Sequence, residues 1–388
     1  MKNSVYLDNS ATTRICDEAL KKYNEISLGT YGNPSSLHDK GVDAEKELDS
    51  ARKLILKSVG AENCKLFFTS SGTEANNLAI LGRAFAKERY KNGAKIITTR
   101  GEHASVNQPI EKLAELGFKV AYISTHGGVI DTEELKKELT KDTILISIMM
   151  VNNETGAVYN IPEVKRLITE NGCDALLHVD ATQGYMKVPF IKAGIGADMI
   201  TISAHKIEGP KGVGALIVDP SVIKSRGLNP IMLGGGQEDG YRSGTENVPG
   251  ICAFSEAVRV YGEHLSERIT HIAQLRQYII DEISGKLPEI LITNPPYHAP
   301  HILNITLPNI KSETVLHYLS SLGIYVSSGS ACSSNSRHRD SALVAYGRSE
   351  READCSIRIS LSHRNSKSDI DALISALDGA LSQLARMR

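Results

Sequence analysis

Short apolar runs alternate with helical patterns over the first two thirds of the sequence, and this alternation limits the possible folds more than any other feature. The run at residues 143–150 (TILISIMM) is almost wholly apolar and rich in Ile, as expected of a strand that is covered on both faces. Other strand-like runs are KLFFT from Lys65, KIITT from Lys95, KVAYIS from Lys119, ALLHV from Ala175, DMITI from Asp198 and ALIV from Ala215. The alternation predicts a mostly parallel sheet with helices on both faces and right-handed crossovers.

The pattern changes after Pro249, where a long helical stretch is predicted at about 251–287. It leads to NPPYHAP, the run HILNITL, a helix at 313–322, the stretch GIYVSSGSACSS, the strand-like CSIRISL and a terminal helix. These elements predict a second, smaller α/β domain. We place an N-terminal segment that packs with the small domain at 1–14, the large domain at 15–250 and the small domain at 251–388.

Composition and charge argue against several classes of protein. A net charge of -1 over 388 residues gives no bias towards nucleic acid or an anionic membrane. No secretory pattern opens the sequence, and no apolar run reaches the roughly 18 residues of a membrane helix. The six cysteines are scattered and form no CxxC pair, which argues against a disulfide framework or a zinc site. We therefore expect a cytoplasmic protein with free thiols.

Polar motifs follow several of the predicted strands, at the sheet edge where ligands of such folds bind. Lys206, in SAHKIEGPKG, follows an apolar strand and could become a reactive amine if it is partly desolvated; the alternative is a surface lysine beside a turn. Asp180, in HVDATQG, could pair with a protonated ring nitrogen or could simply cap a helix.

The turn SSGTE, with Gly72 and Thr73, joins a predicted strand to a predicted helix and could bind a phosphate through the helix N-terminus. Ser203 and His205 could reach the same anion, although most such turns are plain connections. Neither GxGxxG nor GxxxxGK[ST] occurs, which disfavours the nucleotide sites that these motifs form.

Three further residues could carry chemistry. His103, in GEHASV, could stack on a planar ring and shuttle protons, or be an ordinary polar residue. Arg358, inside CSIRISL, needs an anionic partner, either a substrate carboxylate or an internal acid. Cys332 lies among small residues in SSGSACSS, so its thiol could be accessible and nucleophilic, or an unremarkable surface thiol.

Taken together, these segments resemble the cysteine desulfurases of the NifS/IscS type, in the class-V aminotransferase family of pyridoxal 5'-phosphate (PLP) enzymes. The matching segments, in the order of the family, are YLDNSATT, GNPSSLH, TSSGTEANN, EHASV, VNNETG, HVDATQG, SAHKIEGPKG, GGGQEDGYRSGT and SSGSACSS. The resemblance implies an aspartate-aminotransferase-like α/β fold. Its large domain, with a mostly parallel seven-stranded-type sheet, would bind PLP, and its smaller C-terminal α/β domain would carry the catalytic cysteine loop.

The resemblance also implies a role for each matching residue. Lys206 would hold PLP covalently and later move protons, Asp180 would pair with the pyridine nitrogen, and His103 would stack on the ring and take part in catalysis. The other PLP-binding positions would be Gly72, Thr73, Asn153, Gln183, Ser203, His205 and, from a neighbouring subunit, Thr245. Asn33 and Arg358 would hold the substrate carboxylate, and Cys332 would take the sulfur.

The implied activity is the removal of sulfur from L-cysteine, which gives L-alanine and a persulfide on Cys332. A homodimer would pass this sulfur to an acceptor protein of unknown identity in the biosynthesis of iron–sulfur clusters or other sulfur compounds; a metal-binding role stays open without an assigned ligand set. The alternatives are a selenocysteine lyase or related PLP-dependent C–S lyase and, in another class, a sulfur-carrying subunit without catalysis. The presence of Lys206, Asp180 and His103 together argues against the last of these.

Overall fold

The computed structural model describes residues 4–86, 93–328 and 341–384. Its strands are β1 (Val5–Tyr6), β2 (Lys65–Thr69), β3 (Lys95–Thr99), β4 (Lys119–Ile123), β5 (Thr143–Met149), β6 (Leu176–Asp180), β7 (Met199–Ser203), β8 (Gly214–Val218), β9 (Leu291–Thr293), β10 (Ile302–Thr306), β11 (Ile324–Tyr325), β12 (Ser327–Ser328) and β13 (Ser356–Ser360). The helices in these ranges are α1 (Asp17–Gly29), α2 (Asp39–Ser58), α3 (Gly72–Phe85), α4 (Ala104–Glu115), α5 (Thr132–Glu138), α6 (Ile161–Glu170), α7 (Lys192–Ile195), α8 (Pro220–Lys224), α9 (Val248–Glu263), α10 (Leu265–Lys286), α11 (Ser312–Ser321), α12 (Ala342–Tyr346), α13 (Glu350–Asp354) and α14 (Lys367–Leu384). None of these helices is long and apolar enough to cross a lipid bilayer.

A seven-stranded sheet in the order β2-β8-β7-β6-β5-β3-β4 forms the centre of the larger part of the molecule. The pairs from β7 to β4 are all parallel, whereas β8 is antiparallel to both of its neighbours. Only residues 204–213 connect β7 to β8, which is too short for the crossover that a parallel pair needs. The prediction of a mostly parallel sheet is confirmed.

Helices cover both faces of this sheet, as the apolar central strand predicted. Every residue of β5 is buried, with Ile146 and Ile148 in one core cluster and Ile144 and Leu145 in another. Removal of apolar surface from water is worth about 25 cal/mol per Å², so the burial of such strands stabilises the domain. The sheet is therefore a rigid support for side chains at its carboxyl edge.

The stretch that was predicted as one helix at 251–287 is two helices, α9 and α10, because His264 has a non-helical backbone (φ -125°, ψ 26°). Helix α9 packs against α1 and α2 of the larger part, with Ala253 and Ala257 against Ala19. Helix α10 packs instead against α14. The domain limits 1–14, 15–250 and 251–388 stay a prediction, and α9 lies across the second of them.

The smaller part contains an antiparallel sheet in the order β12-β13-β10-β9. The chain start belongs to this smaller part, because β1 and β11 form a separate two-stranded parallel sheet and Asp8 forms a bridge with Ser360 of β13. The N-terminal segment, described from residue 4, continues to the turn after β7. There the backbone N–H of Thr13 donates to the His205 carbonyl (2.9 Å). This segment therefore contacts β13 of the smaller part and the turn that follows β7 of the larger sheet.

Candidate active site

A cavity of about 510 Å³ lies where the parallel strands end. Its walls come from the residues that follow β2, β3, β5, β6 and β7, from the N-terminal segment at Ser10 and Ala11, and from the smaller part at Ser327, Ser328, Ser341 and Arg358. The sheet edge that the sequence pattern predicted as a binding site thus faces the smaller part across this cavity.

Most of the predicted site residues line this one cavity: Gly72, Thr73, His103, Asn153, Asp180, Gln183, Ser203, His205, Lys206 and Arg358. Asn33 and Thr245 are exposed and do not line it. The carboxamide oxygen of Asn33 accepts a hydrogen bond from the backbone of Ser35 (3.0 Å). Cys332 lies outside the described residues, although the segments on either side of it reach the cavity at Ser328 and Ser341.

Lys206 ends a short 3-10 turn directly after β7. Its Nζ donates hydrogen bonds to the carbonyl oxygens of Ser10 (2.5 Å) and Ala11 (2.9 Å). Burial, reinforced by the charge of Lys206, lowers the pKa of the adjacent His205 to about 4, so that this imidazole is neutral near pH 7. Sequence reasoning gave Ser10 and Ala11 no role, because a backbone carbonyl leaves no trace in the sequence; the only signal was the motif YLDNSATT.

Asp180 is the last residue of β6 and is 6% exposed. Its two carboxylate oxygens accept hydrogen bonds from Asn76 Nδ2 (2.8 Å) and from the backbone N–H of Thr182 (2.9 Å). It caps a turn rather than a helix, so the alternative interpretation as a helix cap does not hold. A buried carboxylate at this sheet edge is suited to bind a cationic group of a ligand.

The turn after β2 is held in place by hydrogen bonds at the start of α3. Ser71 Oγ accepts from the backbone N–H of Glu74 (3.2 Å), and Glu74 accepts from the backbone N–H of Ser70 (2.7 Å) and from Arg242 Nε (2.7 Å). Burial opposes ionisation of Glu74, but the bonds from Arg242 and Ser70 outweigh it and lower the pKa of this carboxyl. The turn is therefore preorganised around the positive end of α3.

Two glycines allow the close packing of this turn. A Cβ on Gly72 would lie 3.1 Å from Thr182 Oγ1, on the cavity side of the helix start. A Cβ on Gly214, the first residue of β8, would lie 2.4 Å from the carbonyl carbon of Ser71. Next to the turn, Ser203 Oγ is buried and has no hydrogen-bond partner in the described chain.

His103 precedes α4 and caps it, because its Nδ1 accepts a hydrogen bond from the backbone N–H of Ser105 (3.1 Å). Its side chain is exposed and lines the cavity. Desolvation by the surrounding walls lowers the pKa of His103; Asp180 opposes this effect, and Lys206 and Arg358 reinforce it. The imidazole is thus held in its neutral form.

Arg358 lies on β13, is 8% exposed, and has both an internal acid and the cavity beside it. Its Nη2 donates to Asp8 Oδ1 (3.0 Å) and its Nη1 to the carbonyl oxygen of Asn153 (2.9 Å), while Nε has no partner among the described residues. The two interpretations from the sequence are therefore compatible: Asp8 anchors the guanidinium, and the remaining N–H groups are left for a ligand.

Sequence reasoning missed two acids of the cavity wall, the buried Glu102 and the partly buried Glu154. Glu102 accepts from Thr99 Oγ1 (2.7 Å) and from the backbone N–H of Met149 (2.9 Å), and burial raises its pKa to about 8. Glu154 has a buried Oε2 without a partner in the described chain, and burial raises its pKa to about 7 against the opposing effect of Arg358. The motifs GEHASV and VNNETG contained both acids, but nothing in those motifs indicated that they would be buried.

Comparison with known proteins relates this site to one family. The family model described as "Aminotransferase class-V" matches residues 5–373. A cysteine desulfurase IscS of Dictyoglomus turgidum is 36% identical over 386 residues, which cover 99% of this chain and 96% of that protein. A cysteine desulfurase IscS of Clostridium botulinum (strain Hall) is 35% identical over 391 residues, with 100% and 96% covered.

Solved structures give the same assignment. A structure titled as a NifS-like protein superposes with a TM-score of 0.90 at 36% identity, covering 98% of this chain and 99% of its own. SspA in complex with cysteine superposes with a TM-score of 0.78 at 29% identity, covering 94% and 100%. These matches confirm the fold and the resemblance that the sequence motifs indicated. The chain therefore belongs to the class-V aminotransferase family and, within it, to the NifS/IscS type.

Proposed function

We propose that this chain is a PLP-dependent cysteine desulfurase, which removes sulfur from L-cysteine and leaves L-alanine. The observation that carries the proposal is the convergence of the Lys206 amine, the buried Asp180 carboxylate and the N-terminus of α3 in one cavity. The relatives that match nearly the whole chain carry the name cysteine desulfurase, and a neighbour in structure binds cysteine by its title.

The residues of the cavity fit PLP. Ser203 Oγ and Gln183 Oε1 are both buried without a hydrogen-bond partner in the described ranges, so each has capacity for a ligand. Gly72, Thr73 and Ser203 would hold the phosphate at the N-terminus of α3, and Asp180 would pair with the ring nitrogen. His205 would also bind the phosphate, His103 would stack on the ring, and Asn153 and Gln183 would face its edge. When bound there, PLP supplies an electron sink for the substrate Cα.

Lys206 would hold the cofactor and later carry a proton at the substrate Cα. The carbonyl groups of Ser10 and Ala11 orient its amine, since they accept its hydrogen bonds and have no hydrogen to donate. These contacts would hold the Lys206 amine beside the cofactor site. Positioned proton transfer of this kind typically contributes about 10²–10⁴-fold to a rate.

Arg358 would bind the substrate carboxylate. An arginine has five N–H donors in a fixed plane, and Arg358 uses one for Asp8 and one for the carbonyl of Asn153. The others are sufficient for a carboxylate that lies in the cavity. Asn33 stays a predicted second ligand of the same group.

Cys332 would receive the sulfur, and the other thiols support this assignment by their positions. The described cysteines are free, and all except Cys173 are buried. Burial raises the pKa of the Cys16 and Cys64 thiols, and that of Cys252 to about 12, so these thiols are poor nucleophiles. Cys173 lies before β6, at the sheet edge opposite to the cavity.

We further propose a homodimer in which Thr245 of one subunit completes the phosphate site of the other. Thr245 is exposed, and the same segment exposes Met232 (42%) and Leu233 (80%), which are side chains that a protein interface would bury. The free thiols fit a reducing cytoplasm. The sulfur acceptor is a protein that this chain does not identify.

The test is the production of L-alanine and sulfide from L-cysteine with PLP and a thiol reductant. Lys206→Ala should abolish turnover and the adduct that borohydride reduces, whereas Lys211→Ala, an exposed neighbour, should change neither. Cys332→Ala should keep the cofactor absorbance and lose the persulfide.

Two results would decide against the proposal. No alanine from the wild-type protein under these conditions refutes the activity. Full sulfur release by Cys332→Ala favours a direct C–S lyase, and the same assay with selenocysteine then tests the selenocysteine lyase alternative.

A further inference from the structure

A continuous chain of hydrogen bonds connects Asp180 to His103 through two residues that the proposed mechanism does not use. Asn76 Nδ2 lies 2.8 Å from Asp180 Oδ2 and 2.8 Å from Ser105 Oγ. Ser105 Oγ lies 2.8 Å from His103 Nδ1. Asn76 is 1% exposed and Ser105 7%, so the two bonds of Asn76 are buried away from water, and the bond at His103 is partly buried.

The chemistry of the groups fixes the direction of each bond. An ionised Asp180 only accepts, so the amide of Asn76 must turn its nitrogen towards it, and the second hydrogen on that nitrogen goes to Ser105 Oγ. Ser105 then has its hydroxyl hydrogen left to donate to His103 Nδ1. The backbone N–H of Ser105, whose donor role is fixed, donates to the same nitrogen (3.1 Å).

His103 Nδ1 therefore accepts two hydrogen bonds, from the hydroxyl and from the backbone N–H of Ser105, and cannot carry a hydrogen itself. We infer that Asn76 and Ser105 are positioning residues: they form a hydrogen-bond relay from Asp180 that holds His103 as the tautomer with its hydrogen on Nε2. The relay follows from the geometry of the chain, and its consequence for the reaction rests on the proposed function.

The surroundings of the ring favour the same state. His103 lies at the positive end of the 12-residue helix α4, which disfavours an imidazolium. Of the charged groups around it, Lys206 and Arg358 also disfavour the cation, and Asp180 favours it. The buried acid Glu102 precedes it in the chain and is bound to Thr99 and Met149 instead.

The relay makes His103 a donor on its cavity side. No hydrogen bond joins Nε2 to another part of the described chain, so its N–H is left for a ligand. The resting ring can donate a hydrogen bond from Nε2, but it can accept a proton only at Nδ1, where the Ser105 bonds must first break. His103 would thus act on a bound substrate first as a donor.

The experiment is long-range ¹H–¹⁵N correlation of the holoenzyme with ¹⁵N-labelled histidine, without substrate, with His103→Gln to assign the ring signals. We expect a protonated Nε2 and a hydrogen-bonded Nδ1 in the wild type. Ser105→Ala and Asn76→Ala should weaken the bond at Nδ1, which shifts its resonance and makes His103 titrate at higher pH. Ser105→Thr should restore the wild-type signals.

Asn77→Ala is the matched control, because the neighbouring Asn77 amide donates to the carbonyl of Thr73 on the same helix and takes no part in the relay. It should leave the His103 signals unchanged. A hydrogen on Nδ1 in the wild type, or signals in Ser105→Ala and Asn76→Ala that equal those of the wild type, would overturn the relay. A correct tautomer in a protein that makes no alanine would instead leave the relay standing and refute the proposed function.

Discussion

Replacement of Arg358 tests the proposed binding of the substrate carboxylate most directly. The guanidinium already uses Asp8 and the Asn153 carbonyl as anchors, which leaves other N–H groups, including the unpartnered Nε–H, for a ligand. Two charge-assisted hydrogen bonds to a carboxylate are worth roughly 3–6 kcal/mol together. At about 1.4 kcal/mol per tenfold, Arg358→Ala should lower kcat/KM for L-cysteine about 10²–10⁴-fold. Arg358→Lys, which keeps the charge and about one bond, should lower it about 10–10²-fold.

The assay compares L-cysteine with cysteamine, which lacks the carboxylate. Alanine release gives kcat/KM for cysteine, and the change in cofactor absorbance gives the affinity for cysteamine, which should change less than about threefold. Arg364→Lys is the control for an ion-paired arginine outside the cavity, because Arg364 pairs with Glu208 (3.0 and 3.1 Å). An equal loss for cysteine and cysteamine in a folded Arg358→Ala protein would refute carboxylate binding, and would assign the effect to the lost Asp8 contact.

Two further predictions concern the walls of the cavity. Gly214→Ala should weaken the binding of PLP, measured by equilibrium titration, because the new Cβ would overlap the Ser71 carbonyl carbon and displace the turn after β2. Gly285→Ala is the control, because a Cβ at Gly285 would have no atom within 4 Å, and this variant should bind PLP as the wild type does. Unchanged affinity in Gly214→Ala would contradict the close packing of that turn. Glu154→Gln should remove a pH dependence of stability: with a folded-state pKa of about 7 against 4.5, the folded wild type keeps a proton that the unfolded chain has lost, so its free energy of unfolding falls from about pH 4.5 to pH 7. Denaturant unfolding at pH 5 and 7.5 should show the variant gaining up to about 3 kcal/mol relative to the wild type, and parallel pH curves would contradict this.

The strands and most of the site could be predicted because their signals are local in the sequence. An apolar run such as residues 143–150 reports its own burial, and the motif that follows a strand must lie at the sheet edge. The direction of β8 depends on the length of the loop before it, which the strand pattern does not show. The break at His264 accompanies the packing of α9 and α10 against different helices, and the continuous helical pattern of residues 251–287 gave no sign of it.

The supporting residues of the site could not be predicted for a different reason. Asn76 and Ser105 acquire their roles only because α3 and α4 lie side by side. Glu102 and Glu154 look like ordinary charged residues of a motif until the fold buries them. Such properties belong to pairs of elements, and a linear pattern does not contain them.

The N-terminal segment connects the smaller part of the molecule to the larger part through its hydrogen bonds. It is hydrogen-bonded to β11, holds the guanidinium of Arg358 through Asp8, and cradles the amine of Lys206 with two carbonyls. A movement of the smaller part relative to the larger sheet would therefore displace residues 8–11. It would change the position of Arg358, proposed to bind the substrate, and of Lys206, proposed to hold the cofactor, at the same time. Deletion of residues 4–11 should therefore impair the roles of Lys206 and Arg358 together, although these two residues lie about 200 and 350 positions further along the chain.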